Sequence, residues 1–268
     1  MPFWLHTGTS RGLPAKRRPR QLSDTKFWSN AAGMIDLLIR KLDQLGSLSD
    51  TEKQALTSVS LDIDVFEADL DLFCAGDHPS DCKLIVEGFV CRYKTIEDGR
   101  RQIVSFHIPG DIVDLNSLLL GRMDHSVGTL TQVKVASIPH AILLEWMRSH
   151  PHLGRLLWRD TLIDASIFRE WVLNVVRRSA TERIAHLLCE TVTRLRAVGL
   201  ECDLPMTQAR LADATGLSAV HVNRTVRDLQ GDGLIELSGQ NVTTLDWERL
   251  KRTAGFDPGY LHQLAAAA

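Results

Sequence analysis

At 268 residues, with 44% hydrophobic and 24% charged side chains, the chain has the make-up of a folded protein of one large domain or two modest ones. A formal net charge of -2 excludes nucleic-acid binding through bulk positive charge, so any such contact needs a local concentration of basic groups. No run of 18 apolar residues occurs, so no membrane-spanning helix is expected.

The first 30 residues include "RGLPAKRRPRQ", basic and free of acids, with Pro14 and Pro19. Residues 1–30 are therefore expected to be a flexible basic arm. A transit peptide, or a start at Met34, would read the same way. The segment "AAGMIDLLIRKLDQLGSLSDTEKQAL" has helical spacing interrupted at Gly46, and Ser49 with Glu52 forms a capping-box pattern for a second short helix.

From about Val59 the chain turns to short β-branched runs: "KLIVEGFVCRYK", "RQIVSFHI" and "TQVKVASI". Asp98-Gly99 between two of them predicts a hairpin turn, because both positions tolerate positive φ. Pro109-Gly110-Asp111 marks the next edge. Short strands with frequent turns over about 60–140 predict an antiparallel sandwich or jelly roll. His140, His150 and His152 have no acid or Cys at ligand spacing, so they read as polar helix starts and no metal is expected.

Pro151 suits the first turn of a helix that runs to Arg178 with only Gly154 as a breaker. Ile163, Ile167, Trp171 and Val175 recur every four residues, while Leu156, Leu157, Phe168, Val172 and Val176 widen the stripe. So wide a stripe needs two apolar surfaces, one from the chain itself and one from a second copy. Ser179 with Glu182 starts a further helix that Gly199 closes.

In "LADATGLSAVHVNRTVRDLQGDGLI" the capping chemistry is denser. Thr207 is placed to cap a short helix, Gly216 to make a left-handed turn, and Ser218 to cap a second helix. The small Ala212 lets the two helices cross closely. On the second helix Val222, Val226 and Leu229 share one face. Val220, Arg224 and Arg227 stand opposite, with Asn223 and His221 to either side. The outward set suits a major groove: Arg pairs with guanine, Asn with adenine, and Val touches a thymine methyl. Arg227, Thr207 and Ser218 are placed for phosphates. "LIELSGQNVTTLD" then alternates like a two-stranded wing around Ser238-Gly239.

On these residues, together with "VEGFVCRYKTIEDGRRQIVSFHIPGDIVDL" and "ATERIAHLLCE", the chain resembles the CRP/FNR family of bacterial transcription regulators over about residues 35–247. The resemblance implies an α+β fold: an N-terminal antiparallel β-roll (jelly roll), a long dimerisation helix and a C-terminal winged helix-turn-helix. It implies a homodimer on near-palindromic double-stranded DNA, with RNA polymerase as a further partner of activators. The expected divisions are a basic arm 1–30, a sensor 31–150, a dimerisation helix 151–178, a DNA-binding domain 179–250 and a tail 251–268. No enzyme motif stands out.

An ungapped reading puts the family's ribose-holding Gly-Glu pair on Asp114 and Leu115, and its phosphate-holding Arg-Ser pair on His125 and Ser126. Leu115 cannot accept from a hydroxyl, and Asp114 repels a phosphate, so cyclic AMP is not the expected effector. A different small-molecule effector, or none, stays open. No Cys precedes Cys74, which disfavours the N-terminal iron–sulfur arrangement. His107 in "FHIPGD" reads as a β-roll residue rather than a haem ligand, and no cofactor is expected. Where the family's founders carry Glu to accept from cytosine, this chain has Val220, so its half-site should differ.

Cys74, Cys82, Cys91, Cys189 and Cys202 are odd in number and lack CxxC spacing. With no secretory signal they read as reduced thiols of a cytoplasmic protein. Cys202, beside the DNA-reading segment, is the candidate for redox sensing.

Overall fold

The computed structural model describes residues 31–201 and 203–263. Helix α1 (Ala31–Leu45) buries Ile35, Leu38, Leu42 and Leu45, an apolar stripe at helical spacing. It ends at Gly46, and α2 (Asp50–Thr57) follows behind the expected Ser49–Glu52 capping box.

The β-roll comprises β1 (Asp62–Phe66), β2 (Asp71–Phe73), β3 (Asp81–Glu87), β4 (Val90–Thr95), β5 (Arg101–His107), β6 (Ser126–Thr129) and β7 (Val133–Pro139). One sheet runs β1-β7-β3 and the other β2-β6-β4-β5, with every pairing antiparallel. A short helix, α3 (Ser117–Leu120), lies between β5 and β6. Ile85 pairs with Val135, and both face the interior of the roll. Leu84 pairs with Ala136 and Cys82 with Ile138 on the opposite face, against the helices. With both faces buried, β3 carries the near-continuous run "LIV" instead of a clean alternation. Gly88 permits the tight link from β3 to β4: its φ is +86°, and a Cβ there would stand 2.3 Å from the Gln132 carbonyl oxygen.

The hairpin between β4 and β5 departs from the expectation at Asp98-Gly99. Only Gly99 adopts a positive φ, and the loop closes over Ile96–Arg100 by Ile96 N–H to Arg100 O and Gly99 N–H to Ile96 O. The Asp98 carboxylate accepts from Arg100, and this local bond gives Asp98 a role that needs no left-handed backbone.

Helix α4 (His140–Ser149) begins at His140, and α5 (Pro151–Arg177) carries Pro151 in its first turn behind His150. Leu153, Leu156, Leu157, Ile163, Ile167 and Trp171 of α5 are buried. Trp171 packs edge-on against Phe106 of β5, with ring centroids 5.6 Å apart. A second stripe faces outward, with Trp158, Leu162, Ala165, Arg169, Val172 and Val176 all exposed. Its spacing of four, three, four, three, four is that of a heptad seam.

Helix α6 (Ala180–Ala197) starts at the Ser179–Glu182 capping box. Then come α7 (Gln208–Thr215), α8 (Ala219–Gly231), β8 (Ile235–Ser238) and β9 (Asn241–Thr244). The tail expected from residue 251 does not begin there, because α9 (Trp247–Ala254) runs across that boundary and packs on α6. Leu250, Ala254, Phe256 and Leu261 are buried, and the 3-10 turn Pro258–Leu261 rests on α5. The expected arm 1–30, Cys202 and Ala265–Ala268 lie outside the described residues.

Candidate nucleic-acid interface

The helix-turn-helix is assembled by local chemistry. Thr207 accepts from the Arg210 N–H and caps α7. Gly216 takes φ +67°, which ends α7 without strain. Ser218 accepts from the His221 N–H and caps α8. Both capping hydroxyls act as acceptors within the fold, so each keeps its own O–H to donate outward.

Val222, Val226 and Leu229 are fully buried and fix the rotation of α8 about its axis. That rotation leaves Val220 82% exposed and turns Arg224 and Arg227 to solvent. His221 and Asn223 sit half-buried on the flanks of this face. Asn223 Nδ2 donates to Gln208 Oε1 at 3.0 Å, a contact between α8 and the start of α7 that sequence periodicity does not reveal. The strands β8 and β9 pair antiparallel as the expected wing.

The unit is docked on the β-roll through α7, leaving the outer face of α8 free. Buried Arg210 donates to Leu130 O, to Pro205 O at 3.1 Å and to the Asp69 carboxylate at 3.2 Å. Arg101 of β5 pairs with Asp213 at 2.8 Å, and Gln102 donates to Ala214 O at 3.2 Å.

The four effector-pocket residues do not converge on one cavity. Asp114 is fully buried, accepts from the Lys83 N–H at 2.7 Å, and burial pushes its carboxyl up to about 7. His125 contacts Asp124, with burial and then Arg92 holding its imidazole below the usual range. The Ser126 hydroxyl accepts from the Ala75 N–H. The interior of the roll is filled by Ile85, Val90, Val113, Met123, Val127, Val133 and Val135, with Phe66, Leu72 and Phe73 packed against them.

Leu115 instead lines a cavity of about 70 Å³ where α1, α5, α6 and the segment following β5 meet. The charged wall of this cavity is internally paired. Asp111 meets Lys41 at 2.9 Å and Arg194 at 2.6 Å, Lys41 also meets Asp160 at 2.8 Å, and Arg92 pairs with Asp164. Burial works against the Asp111 charge, yet Lys41 and Arg194 hold its carboxyl well below the usual range. His107, against Ser105 and Asp111, is lowered to about 4 by burial and then by Arg92. No cluster of three metal-ligating side chains occurs among the described residues.

Residues 63–150 match the cyclic nucleotide-binding domain, and residues 182–253 match the Crp-like helix-turn-helix domain. The chain is 33% identical over 202 residues to the transcriptional activator protein FnrL of Cereibacter sphaeroides, covering 72% of this chain and 80% of that one. The chain belongs to the CRP/FNR family of transcription regulators. This is a family of DNA-binding regulators rather than enzymes, so the outward face of α8 belongs to a DNA-binding helix-turn-helix. Another relative in the family is the nitrogen fixation regulation protein FixK of Bradyrhizobium diazoefficiens, 32% identical over 173 residues, covering 63% of this chain and 72% of FixK. Among solved structures, FixK2 from Bradyrhizobium japonicum superposes with a TM-score of 0.65 at 25% identity, covering 78% of this chain and all of that one. Among the described residues no helix is long and apolar enough to cross a membrane.

Proposed function

We propose that this CRP/FNR regulator binds a near-palindromic operator as a homodimer, with one α8 in each of two successive major grooves about one helical turn apart. The rotation of α8 supports this, burying Val222, Val226 and Leu229 and presenting Val220, Arg224 and Arg227. Arg224 reads a guanine, Val220 meets a thymine methyl, and Asn223 and His221 set neighbouring bases. Arg227, Thr207 and Ser218 hold phosphates, the two capping hydroxyls through their free O–H. Residues 31–150 serve as the sensor, 151–178 as the dimerisation helix and the chain from 179 through α9 as the reading unit. The outward seam of α5 supports pairing with a second copy, because a single chain leaves those apolar side chains in water.

The effector is not cyclic AMP. Supporting this, the roll interior is filled by apolar side chains, and Asp114, His125 and Ser126 are each engaged elsewhere in the fold. An activator's contact with RNA polymerase fits the relative named a transcriptional activator, and the protein acts where the genome lies, in the cytoplasm. Selection of bound DNA from a random pool, without added effector, tests the reading. It should return a two-fold symmetric motif with half-sites one helical turn apart; the absence of any consensus would overturn it.

A further inference from the structure

Asn223 borders Arg224 on the exposed side of α8, and its amide is tied to Gln208, the first residue of α7. A carboxamide has one accepting end and one donating end, so the end it gives to a protein partner is withdrawn from the groove. With Nδ2 bonded to Gln208, the Asn223 Oδ1 and its second N–H remain for a base. That pair matches adenine, whose N6 donates and whose N7 accepts. Gln208 is itself an amide and bonds equally well in the reverse sense, Nε2 donating to Asn223 Oδ1. Both N–H groups of Asn223 then face outward and match the acceptor-only edges of guanine or thymine.

We infer that residue 208 is a positioning residue that sets the base read by Asn223, by selecting which end of its amide faces the groove. This rests on the reading of α8 proposed above. Gln208 is half-buried at a helix start and belongs to no packed core, so it can be replaced without loss of the fold. Gln208→Glu offers only acceptors, holds Nδ2 and keeps Oδ1 outward. Gln208→Lys offers only donors, holds Oδ1 and turns both N–H groups outward. The two changes also move total affinity in opposite directions through charge at the phosphate backbone. The informative quantity is therefore the base ratio at one position, not affinity.

The experiment is selection from a random duplex pool with the full chain, its Gln208→Glu, Gln208→Lys and Gln208→Leu variants, and each combined with Asn223→Ala. The ratio of adenine to guanine at the Asn223 position should differ between the Glu and Lys variants by roughly tenfold or more. Gln208→Leu should flatten that position, and the Arg224 position should stay unchanged in all. In the Asn223→Ala background the difference should vanish. A wild-type motif that Asn223→Ala alters but the three residue-208 variants do not would overturn the inference while leaving the DNA reading intact. A shift of all positions together would also overturn it. No motif from the wild type would instead overturn the DNA reading on which it rests.

Discussion

Arg194 of α6 donates to Asp111, in the turn after β5, at 2.6 Å, and the same carboxylate meets Lys41 of α1 at 2.9 Å. One buried anion thus joins the first helix, the roll and the first helix of the DNA-binding unit. Arg194 also donates to the Phe106 carbonyl, so it is fixed on the roll at two points. Removing the shared anion leaves Lys41 with Asp160 alone and buried Arg194 with only the Phe106 carbonyl and the more distant Glu190, and breaking such a buried pair costs far more than the pair contributes when intact. Asp111→Asn should therefore destabilise the protein by about 3 kcal/mol or more. Denaturant unfolding checks this, and a change within about 0.5 kcal/mol, as at an ordinary surface site, would refute it.

His107 makes the same region sensitive to acid. Its imidazole is held neutral, with a pKa of about 4 against 6.5 for the free side chain. Between those values the unfolded chain binds a proton that the folded protein refuses, so this group's contribution falls as pH drops below 6.5 and levels off below about 4. Asp114, raised to about 7, acts with the opposite sign over much of that window, so the total pH dependence does not isolate His107. The difference between two proteins does. His107→Gln should lose stability on acidification less steeply than wild type, by up to about 1.4 kcal/mol per pH unit between 6.5 and 4. Parallel curves would contradict the assignment.

The outward seam of α5 predicts which substitutions would break the proposed dimer. Val172 and Val176 lie one turn apart on it and are exposed in the single chain. Val172→Glu combined with Val176→Glu puts four carboxylates into a paired seam but only into water in a monomer. Sedimentation should show a dimer for wild type and a monomer for the variant, with thermal stability of the isolated chain little changed. A wild-type monomer at micromolar concentration would rule out the α5 seam as an interface.

Thiol reactivity should be uneven. Burial pushes the thiols of Cys91 and Cys189 up to about 12, and that of Cys82 higher still, so little nucleophilic thiolate forms. Iodoacetamide on the native protein, read by peptide mass spectrometry, should leave all three unmodified. Their modification at the rate of an unfolded control would show that these sites open readily.

What was legible in the sequence is what is local in the chain. Thr207, Gly216 and Ser218 announce their caps and turn within a few residues, and the spacing of Val222, Val226 and Leu229 alone gives the rotation of α8. The two faces of α5 were likewise readable as an over-wide stripe. Helix α9 was not, because Leu250 and Ala254 are isolated apolar points in the charged text "WERLKRTAG" and gain meaning only when α6 supplies the facing surface. Strand β6 is four residues with Gly128 inside, too short for alternation to register. Arg210 looks like a surface helix residue until Leu130 and Asp69, far back in the chain, close over it. The effector-pocket alignment failed to bring its residues together for a related reason. An ungapped count carries position but not orientation, and Asp114, His125 and Ser126 each found a partner inside the fold.

Whether the exposed face of α8 reads base sequence through Arg224 is decided by comparing wild type with Arg224→Ala and Arg227→Ala on the selected operator and on single-base variants of it. Arg224→Ala should cost about 1–3 kcal/mol and abolish discrimination at one base pair in each half-site. Arg227→Ala should weaken all sequences alike and flatten the salt dependence. An Arg224→Ala protein that keeps the wild-type preference at every base pair would show that α8 does not read DNA through this side chain.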